Sequence, residues 1–462
     1  MKNLFKFGAV TVLLVTVFAC QPAFQPSDLV TAIKGRDTDQ ALTIIKSGVD
    51  VNQADSAGVS PMHLAAKNAL FPVVEQLLKV DADLSVKDVN GYTPLNYAII
   101  AGHQQIIKTL LRHGAVSYHS ELPNMQDGPY VDYTADGYYA YYMLHDSLKG
   151  ATYLSGKKLP KATHAFKGWA KDSMTYALAK FEAPKWHVTT DQPLFVLGDI
   201  HGQYDRLVCN LQDNNIIDEQ LNWNFGGGHL VFAGDFADRG DKVTEALWLI
   251  YKLEKQAQKA GGDVHMVLGN HEMMILNNDL RYIADKYEAL SENTGLNHTG
   301  LFHPNSVMGE WLRNRPAMIK INDLLIVHGG VSPQLMARFK TIDAVNTYVN
   351  QFFMAGLNPQ NKAELDLITT SFGPFWYRGY FMKRSKYPKI TEEELDQVMA
   401  QLDVNTILVG HTENDELSAY FNGKIMDVNI PLWNEEVPNQ ALLIEDGHFY
   451  RLTEGKEKKL LK

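Results

Sequence analysis

Hydrophobic and polar positions repeat with a fixed period near the start of the chain. Small and aliphatic residues return every 33 positions. The positions that share this register are Ala32, Ala65, Ala98 and the aliphatic pairs at 44–45, 77–78 and 110–111. Such a period predicts a stack of supersecondary units, each burying its apolar face against the next. We therefore expect a separate all-α region of three repeats at residues 25–120.

Two segments within these repeats carry a recognisable pattern. Residues 60–65 read Ser-Pro-Met-His-Leu-Ala, and residues 93–98 read Thr-Pro-Leu-Asn-Tyr-Ala. Both resemble the Thr-Pro-Leu-His-x-Ala signature of ankyrin repeats, in which a turn precedes two short helices. The resemblance implies a stack that binds a protein partner. A stack this short could equally serve only to pack on the next domain.

A different pattern begins near residue 194. Short apolar runs end at glycine and polar residues, and they alternate with helical stretches such as 241–259. The candidate strands are 194–197, 230–233, 265–268, 324–327 and 406–409. This alternation predicts a layered α/β domain with its polar residues at the carboxyl ends of the strands, where open α/β sheets bind ligands.

The region between the repeats and these strands is rich in aromatic residues. Residues 129–144 read as a hairpin that turns at Gly137. We assign residues 121–455 to the second domain. The lysine-rich run at 456–462 is interpreted as a charged, solvated tail.

Composition and charge narrow the possible functions. Hydrophobic residues make up 45% of the chain and charged residues 21%, which is typical of a globular protein with a sizeable core. The formal net charge of −10 argues against binding of nucleic acid. The two cysteines, Cys20 and Cys209, cannot form a cysteine cage for zinc, so a metal site would need His, Asp, Glu or Asn. We expect Cys209 to be a buried thiol, and His298 and His303 to lie at the surface.

The N-terminus resembles a bacterial export signal. Lys2 and Lys6 precede an uncharged apolar run that ends at Ala19, and this run would rise only about 18 Å as a helix, too short to span a membrane. The residues before Cys20 resemble a lipobox, which predicts that residues 1–19 are removed and that Cys20 carries a lipid anchor. Ordinary signal cleavage at the same bond remains open. Because Gln21 differs from the Asp that retains such lipoproteins in the inner membrane, we expect a periplasm-facing protein of the bacterial envelope, at the outer membrane.

Five strand ends carry residues suited to metal and phosphate chemistry. They read 198-Gly-Asp-Ile-His-Gly, 234-Gly-Asp-Phe-Ala-Asp-Arg-Gly, 269-Gly-Asn-His-Glu, 327-Val-His-Gly-Gly and 410-Gly-His-Thr. Carboxylate, imidazole and amide ligands suit Mn, Fe or Zn better than Ca. One Asp shared by two ions would hold them about 3.5–4 Å apart, close enough to clamp a phosphoryl group and generate a hydroxide. A single fragment of this kind is usually a turn, but five in succession, with Arg239 and Arg378 to meet an anion, favour a catalytic site.

The first three of these motifs resemble the GDxHG, GDxxDRG and GNHE signatures of the phosphoprotein phosphatase (PPP) family, within the calcineurin-like metallophosphoesterases. Phe236-Ala237 and the segment 376–379 look most like the Shewanella-like phosphatase branch. The resemblance covers about 125–455. It implies an α/β fold, a layered β-sandwich flanked by helices, behind an N-terminal all-α ankyrin stack.

The resemblance also implies a role for each matching position. Asp199, His201 and Asp235 match the ligands of one metal ion, and Asp235, Asn270, His328 and His411 match those of a second, with Asp235 bridging. His271 matches the general acid, Asp238 the carboxylate that orients it, and Arg239 and Arg378 the residues that bind phosphate. The cofactors would be two divalent ions (Mn, Fe or Zn), with Mn favoured.

The expected activity is hydrolysis of phosphomonoesters by attack of a metal-bound hydroxide. Phosphorylated protein is the favoured substrate, with phosphotyrosine preferred, and a small phosphomonoester is the other candidate. Two alternatives remain: a nucleotide phosphohydrolase of the diadenosine tetraphosphatase type, and an ankyrin-based binding protein whose phosphatase domain is not catalytic. The intact ligand set, His271 and both arginines argue against the second.

Overall fold

A computed structural model describes residues 24–117, 125–134, 137–145, 147–154, 178, 182–294, 298, 302–355, 362–382 and 389–462. Contacts divide the chain into two compact units, 1–97 and 98–462. The predicted signal at 1–19 and the lipidation site Cys20 lie outside the described residues. Within the described residues, no helix is both long and apolar enough to span a membrane.

The first unit consists of short helices that follow the 33-residue register. They are α1 (Pro26–Lys34), α2 (Thr38–Lys46), α3 (Pro61–Lys67), α4 (Phe71–Lys79) and the start of α5 (Pro94–Ile100). Proline occupies the first helical position of α1, α3 and α5, where no backbone N–H is needed. Ala32 and Ala65, which define the register, are buried and allow neighbouring helices to approach. The predicted turn-helix-helix pattern is confirmed.

Buried polar residues tie one repeat to the next. The Nδ1 atom of His63 lies 2.8 Å from the hydroxyl of Ser60, at the start of α3. Its Nε2 atom donates to the backbone carbonyl of Tyr92 in the following repeat at 3.0 Å. In this motif Ser60 and Pro61 therefore begin the helix, and His63 joins it to the next turn.

The second unit begins with the last repeat helix, α6 (Gln104–Arg112), and a three-stranded antiparallel sheet. The strands are β1 (Met125–Thr134), β2 (Gly137–His145) and β3 (Ser147–Leu154). The predicted hairpin is confirmed, with β3 as an additional strand on its edge. Tyr139 and Tyr141 are buried, and the indole N–H of Trp248 donates to the carbonyl of Pro129 at 2.8 Å, which anchors β1 to the catalytic region.

Two six-stranded mixed sheets form the body of this unit. One has the order β11–β12–β10–β9–β8–β4, and the other has the order β15–β14–β13–β5–β6–β7. The strands are β4 (His187–Val188), β5 (Leu194–Leu197), β6 (His229–Phe232), β7 (Asp263–Met266), β8 (Met318–Ile321), β9 (Leu324–Val327), β10 (Thr406–Val409), β11 (Ser418–Tyr420), β12 (Ile425–Asp427), β13 (Gln440–Glu445), β14 (His448–Thr453) and β15 (Lys459–Leu460). All five predicted strands are present, although β6 and β7 begin one or two residues earlier than predicted. Strands β5, β6 and β7 are parallel, as are β9 and β10, so in each set the carboxyl ends lie at one edge.

Helices flank both sheets. They are α7 (Tyr204–Asp213), α8 (Val243–Ala260), α9 (Asn270–Leu276), α10 (Asp285–Thr294), α11 (Val307–Arg313), α12 (Pro333–Phe339), α13 (Ile342–Ala355), α14 (Lys362–Thr369) and α15 (Glu392–Leu402). The predicted helix at 241–259 corresponds to α8, which ends at Gly261 in the left-handed conformation that favours glycine. The expected layered α/β architecture is confirmed.

The run at 456–462 is almost entirely exposed, as expected of a solvated segment, although Lys459–Leu460 pairs with β14 and the N–H of Phe449 donates to the carbonyl of Lys462. Two peripheral predictions are wrong. Cys209 is exposed on α7. His298 is buried against Tyr287 and Phe302, and burial lowers its pKa to about 3.

Candidate active site

The predicted metal-binding residues converge at the carboxyl ends of five strands from both sheets. Asp199 and His201 follow β5, Asp235 follows β6, and Asn270 follows β7, while His328 and His411 follow β9 and β10. All six side chains are buried. The folding of the two sheets therefore brings together residues that are up to 212 positions apart, as the backbone N–H of His411 shows by donating to Asp199 at 3.1 Å.

Asp235 lies at the centre of the group. Its Oδ2 atom is 3.1 Å from Nε2 of His328, 3.7 Å from Nε2 of His201 and 4.0 Å from Nε2 of His271. Asp235 therefore belongs to two potential metal-binding clusters, one with His201 and His271 and one with His328 and His411. This shared position is the one that a bridging carboxylate requires.

Asp199 and Asn270 complete the group on either side. Oδ2 of Asp199 is 3.8 Å from Nε2 of His201, and Oδ1 of Asn270 is 2.9 Å from Nε2 of His328. The arrangement supplies carboxylate, amide and imidazole donors without any sulfur. Among the biological cations, this donor set favours borderline divalent ions such as Mn, Fe and Zn.

Hydrogen bonds to the backbone fix the orientation of two histidine rings. Nδ1 of His201 donates to the carbonyl of Ala237 at 2.9 Å, and Nδ1 of His328 donates to that of Ala233 at 2.7 Å. Each Nε2 atom is thereby turned toward the carboxylates, which is how proteins orient metal-binding histidines. The buried Nε2 atoms of His201 and His411 have no hydrogen-bond partner among the described residues. A buried nitrogen without a partner is costly, so these residues fit a bound cation.

The pKa shifts of the buried histidines and aspartates are also consistent with bound cations. Burial lowers the pKa of His201 to about 3 and that of His411 well below its usual value, so both rings are neutral and able to coordinate. Burial raises the pKa of Asp199 to about 7, against the attraction of His328. Burial also disfavours the charged form of His328, but Asp235 and Asp199 outweigh it and raise the pKa to about 9. A divalent cation would stabilise the carboxylates that burial otherwise disfavours.

His271, the predicted general acid, lies beside this group. Its backbone N–H donates to Oδ1 of Asp235 at 2.9 Å, and its Nδ1 donates to Oδ2 of Asp238 at 2.7 Å. Burial lowers the pKa of His271, but Asp235 and Asp238 outweigh this effect and raise it above the usual value. Both carboxylates therefore favour the protonated ring, whose Nε2 atom lies 4.0 Å from Oδ2 of Asp235.

The two predicted arginines meet at one loop. Nη1 of Arg378 donates to the carbonyl of His411 at 2.9 Å and to the hydroxyl of Thr412 at 3.1 Å. Nη1 of Arg239 donates to Oε1 of Glu413 at 2.8 Å. Within the described part of the chain, their other guanidinium nitrogens have no partner, so both can bind an anion.

Glycines allow these loops to approach one another. A Cβ atom on Gly269 would lie 2.0 Å from Oδ1 of Asp235, and one on Gly234 would lie 2.7 Å from the backbone nitrogen of Gly269. His201 and Asp235 themselves adopt positive φ angles of 46° and 54°. Such strained conformations persist only where the surrounding structure enforces them, and they cluster at functional sites.

Sequence reasoning missed two residues that shape the site. Glu272 accepts four backbone N–H groups, from Gly269, Asp235, Phe236 and Ala237, at 2.8–2.9 Å. Its position inside the third signature was a signal that could have identified it. Asn429 donates to Oδ2 of Asp199 at 2.8 Å, and no sequence pattern pointed to it.

Comparison with known proteins identifies the family. Residues 193–414 match the calcineurin-like phosphoesterase family, and residues 29–120 match ankyrin repeats in three copies. A solved cold-active protein-tyrosine phosphatase from a psychrophilic Shewanella species is 33% identical, with a TM-score of 0.66, over 73% of this chain and 99% of that one.

Two curated relatives extend the comparison. Shewanella-like protein phosphatase 1 of Plasmodium berghei is 25% identical over 58% of this chain and 75% of its own length. A symmetrical bis(5'-nucleosyl)-tetraphosphatase of Wigglesworthia glossinidia brevipalpis is 29% identical over 30% of this chain and 45% of its own length. The chain thus belongs to the calcineurin-like metallophosphoesterases as a metal-dependent phosphatase of the Shewanella-like branch, with ankyrin repeats at its N-terminus.

Proposed function

We propose that this protein hydrolyses phosphomonoesters at a site that holds two divalent cations, with Mn favoured. The observation that carries the proposal is that Asp235 belongs to both donor clusters and lies next to His271. Asp199, His201 and Asp235 would hold one ion, and Asp235, Asn270, His328 and His411 the other. When bound, the ions would supply Lewis acidity and activate water at neutral pH.

The residues of the chain supply the remaining steps. Arg239 and Arg378 bind the phosphate oxygens and offset the charge that develops during transfer. His271 holds a proton at Nε2 and donates it to the departing oxygen of the ester. Asp238 keeps Nδ1 of His271 protonated and fixes the ring, while Glu272 holds the loop that carries Asp235.

Phosphorylated protein, with phosphotyrosine preferred, is the substrate that we propose. Tyr282 is 49% exposed, and its ring centroid lies 5.4 Å from that of His271. The carbonyl of Tyr282 accepts the backbone N–H of Arg239 at 2.7 Å, which holds the backbone of Tyr282 next to that of Arg239. An aromatic surface beside the proton donor suits an aryl leaving group, because two rings can stack there. The name of the Shewanella relative is consistent with this preference.

A nucleotide phosphohydrolase activity is the second candidate. The specific observation in its favour is the similarity to the symmetrical tetraphosphatase, whose matched region is short. The same cations and arginines could bind a polyphosphate. Products distinguish the two functions, since a diadenosine substrate would yield nucleotides, whereas a phosphopeptide yields inorganic phosphate.

We also propose that the protein is exported and anchored in the bacterial envelope by a lipid on Cys20, facing the periplasm at the outer membrane. Support comes from the sequence of residues 1–20 alone. The ankyrin repeats would then present a binding surface to a protein partner or substrate in that compartment.

One experiment tests the proposed activity. The purified protein is analysed for metals and assayed on phosphotyrosine, phosphoserine and phosphothreonine peptides and on diadenosine tetraphosphate. We expect about two divalent ions per chain and the highest kcat/KM on phosphotyrosine peptides. The Asp235→Asn variant, purified in parallel, controls for contaminating phosphatases. Faster hydrolysis of the dinucleotide, or no hydrolysis of any phosphomonoester by metal-loaded protein, would contradict the proposal.

A further inference from the structure

One carboxylate at the mouth of the site has no role in the mechanism above. Oε1 of Glu413 accepts Nη1–H of Arg239 at 2.8 Å and also lies 3.4 Å from the indole N–H of Trp433, which donates to it. The side chains of Arg239 and Glu413 are 39% and 37% exposed, so the pair lies at the rim, not in the core.

The loop that carries Glu413 also holds the other arginine. Arg378 is bound by His411 and Thr412, the two residues that precede Glu413. Three consecutive residues therefore fix both guanidinium groups, each through a single terminal nitrogen. Because arginine has five N–H groups, each guanidinium keeps donors available for a phosphate.

Arg239 depends on this contact more than Arg378 does. Within the described residues, Glu413 is the only hydrogen-bond partner of its guanidinium group. Its backbone N–H donates to the carbonyl of Tyr282 at 2.7 Å, which holds the main chain, but the long side chain has no other hydrogen bond to restrict its rotation among the described residues. An arginine that is not held loses rotamer freedom when it binds, which weakens the interaction with its ligand.

We propose that Glu413 is a positioning residue that holds Arg239 opposite Arg378, so that the two guanidinium groups bind the same phosphate. The proposal deepens the phosphatase function above and rests on it. Glu413 acts through Arg239 and does not itself contact the reacting atoms. The indole N–H of Trp433 donates to the same Oε1 atom of Glu413 that accepts from Arg239.

Steady-state kinetics of the metal-loaded Glu413→Gln variant test the proposal. The substrate is an aryl phosphate, and inorganic phosphate serves as the inhibitor. Since the arginine binds phosphate in both the ground and the transition state, we expect KM and the Ki of phosphate to rise together by about threefold to tenfold, with kcat changed by less than about twofold. Glu435→Gln removes the same charge from the segment next to Trp433 and should leave both constants unchanged.

A double-mutant cycle separates positioning from a general charge effect. In an Arg239→Ala background, Glu413→Gln should cause no further rise in KM or Ki, because the residue through which it acts is gone. A similar rise in that background would overturn the proposal, as would an unchanged or lowered Ki in the single variant. A lowered Ki would mean that Glu413 competes with phosphate for Arg239.

Direct binding keeps this test independent of the proposed reaction. Titration calorimetry of inorganic phosphate into metal-loaded wild type and Glu413→Gln measures the same contact without turnover. Weaker binding by the variant supports the positioning role even if the preferred substrate is a nucleotide. Equal affinities would refute it, whatever the enzyme hydrolyses.

Discussion

Replacement of Asp238 by Asn is the most direct test of how His271 works. Asp238 is buried, and its Oδ2 accepts the Nδ1–H of His271 at 2.7 Å. Asparagine keeps the size of the side chain but removes the charge. The imidazolium then loses a charge-assisted hydrogen bond, while the metal-binding residues keep their contacts.

The size of the effect follows from that bond. A hydrogen bond to a charged group contributes about 1.5–3 kcal/mol, and 1.36 kcal/mol corresponds to a factor of ten in rate. We therefore expect kcat/KM for an alkyl phosphate to fall about 10- to 100-fold. The leaving group of an aryl phosphate needs less protonation, so kcat/KM for that substrate should fall by a smaller factor.

The pH dependence provides a second measurement. Burial lowers the pKa of His271, whereas Asp235 and Asp238 raise it and together prevail. Removing the charge of Asp238 should lower that pKa, so the alkaline limb of the kcat/KM profile should move to lower pH. Asp279→Asn, which removes a half-buried carboxylate that is bound to Arg281 and makes no hydrogen bond to His271, is the matched control and should move the limb less. Equal losses on good and poor leaving groups, or an unmoved alkaline limb, would refute the role of His271 as acid.

Four further predictions concern the rest of the molecule. Asp235→Asn should lose bound metal and turnover while the circular dichroism spectrum stays unchanged; wild-type metal content would contradict the bridging role. Glu272→Gln replaces a hydrogen-bond acceptor by a donor and leaves about two buried backbone N–H groups unpaired. The free energy of unfolding measured in urea should therefore fall by about 2–6 kcal/mol, and an unchanged midpoint would show that these hydrogen bonds do not stabilise the fold. Cys20→Ser should release the protein from the membrane fraction, and persistent membrane association would exclude a lipid anchor at this residue. A chain that begins at Leu122 should still hydrolyse a small aryl phosphate. It should unfold at a lower urea concentration than a chain that begins at Gly102, because only the longer chain keeps α6; equal midpoints would show that α6 does not stabilise this unit.

The sequence predicted the candidate site well because its constraints are local. Each candidate ligand follows closely on a short buried strand, and the adjacent glycine is required by the close approach of the loops, as Gly269 shows against Asp235. Strand, glycine and ligand therefore appear as one contiguous pattern. The parallel order of the strands then makes their ends meet, which places residues of five separate motifs in one group.

Contacts between distant segments could not be predicted in the same way. Asn429 reaches Asp199 across 230 positions, and Glu413 reaches Arg239 across 174. Neither pair has a spacing that a local pattern could reveal. The wrong prediction for His298 has a related cause: its neighbours in sequence are polar, but Tyr287 and Phe302 enclose its ring.

The last repeat helix, α6, keeps the sequence register of the repeats and also packs against the three-stranded sheet. Lys46, Lys79 and Arg112 occupy equivalent positions in the three repeats. In the second unit, Arg112 lies 6.0 Å from the ring centroid of Tyr139, and Lys108 pairs at 3.1 Å with the buried Asp132 of β1. The same face that is solvated in an ordinary repeat thus contacts the sheet of the catalytic unit. The repeat period alone therefore cannot reveal that α6 is also part of the packing around β1 and β2.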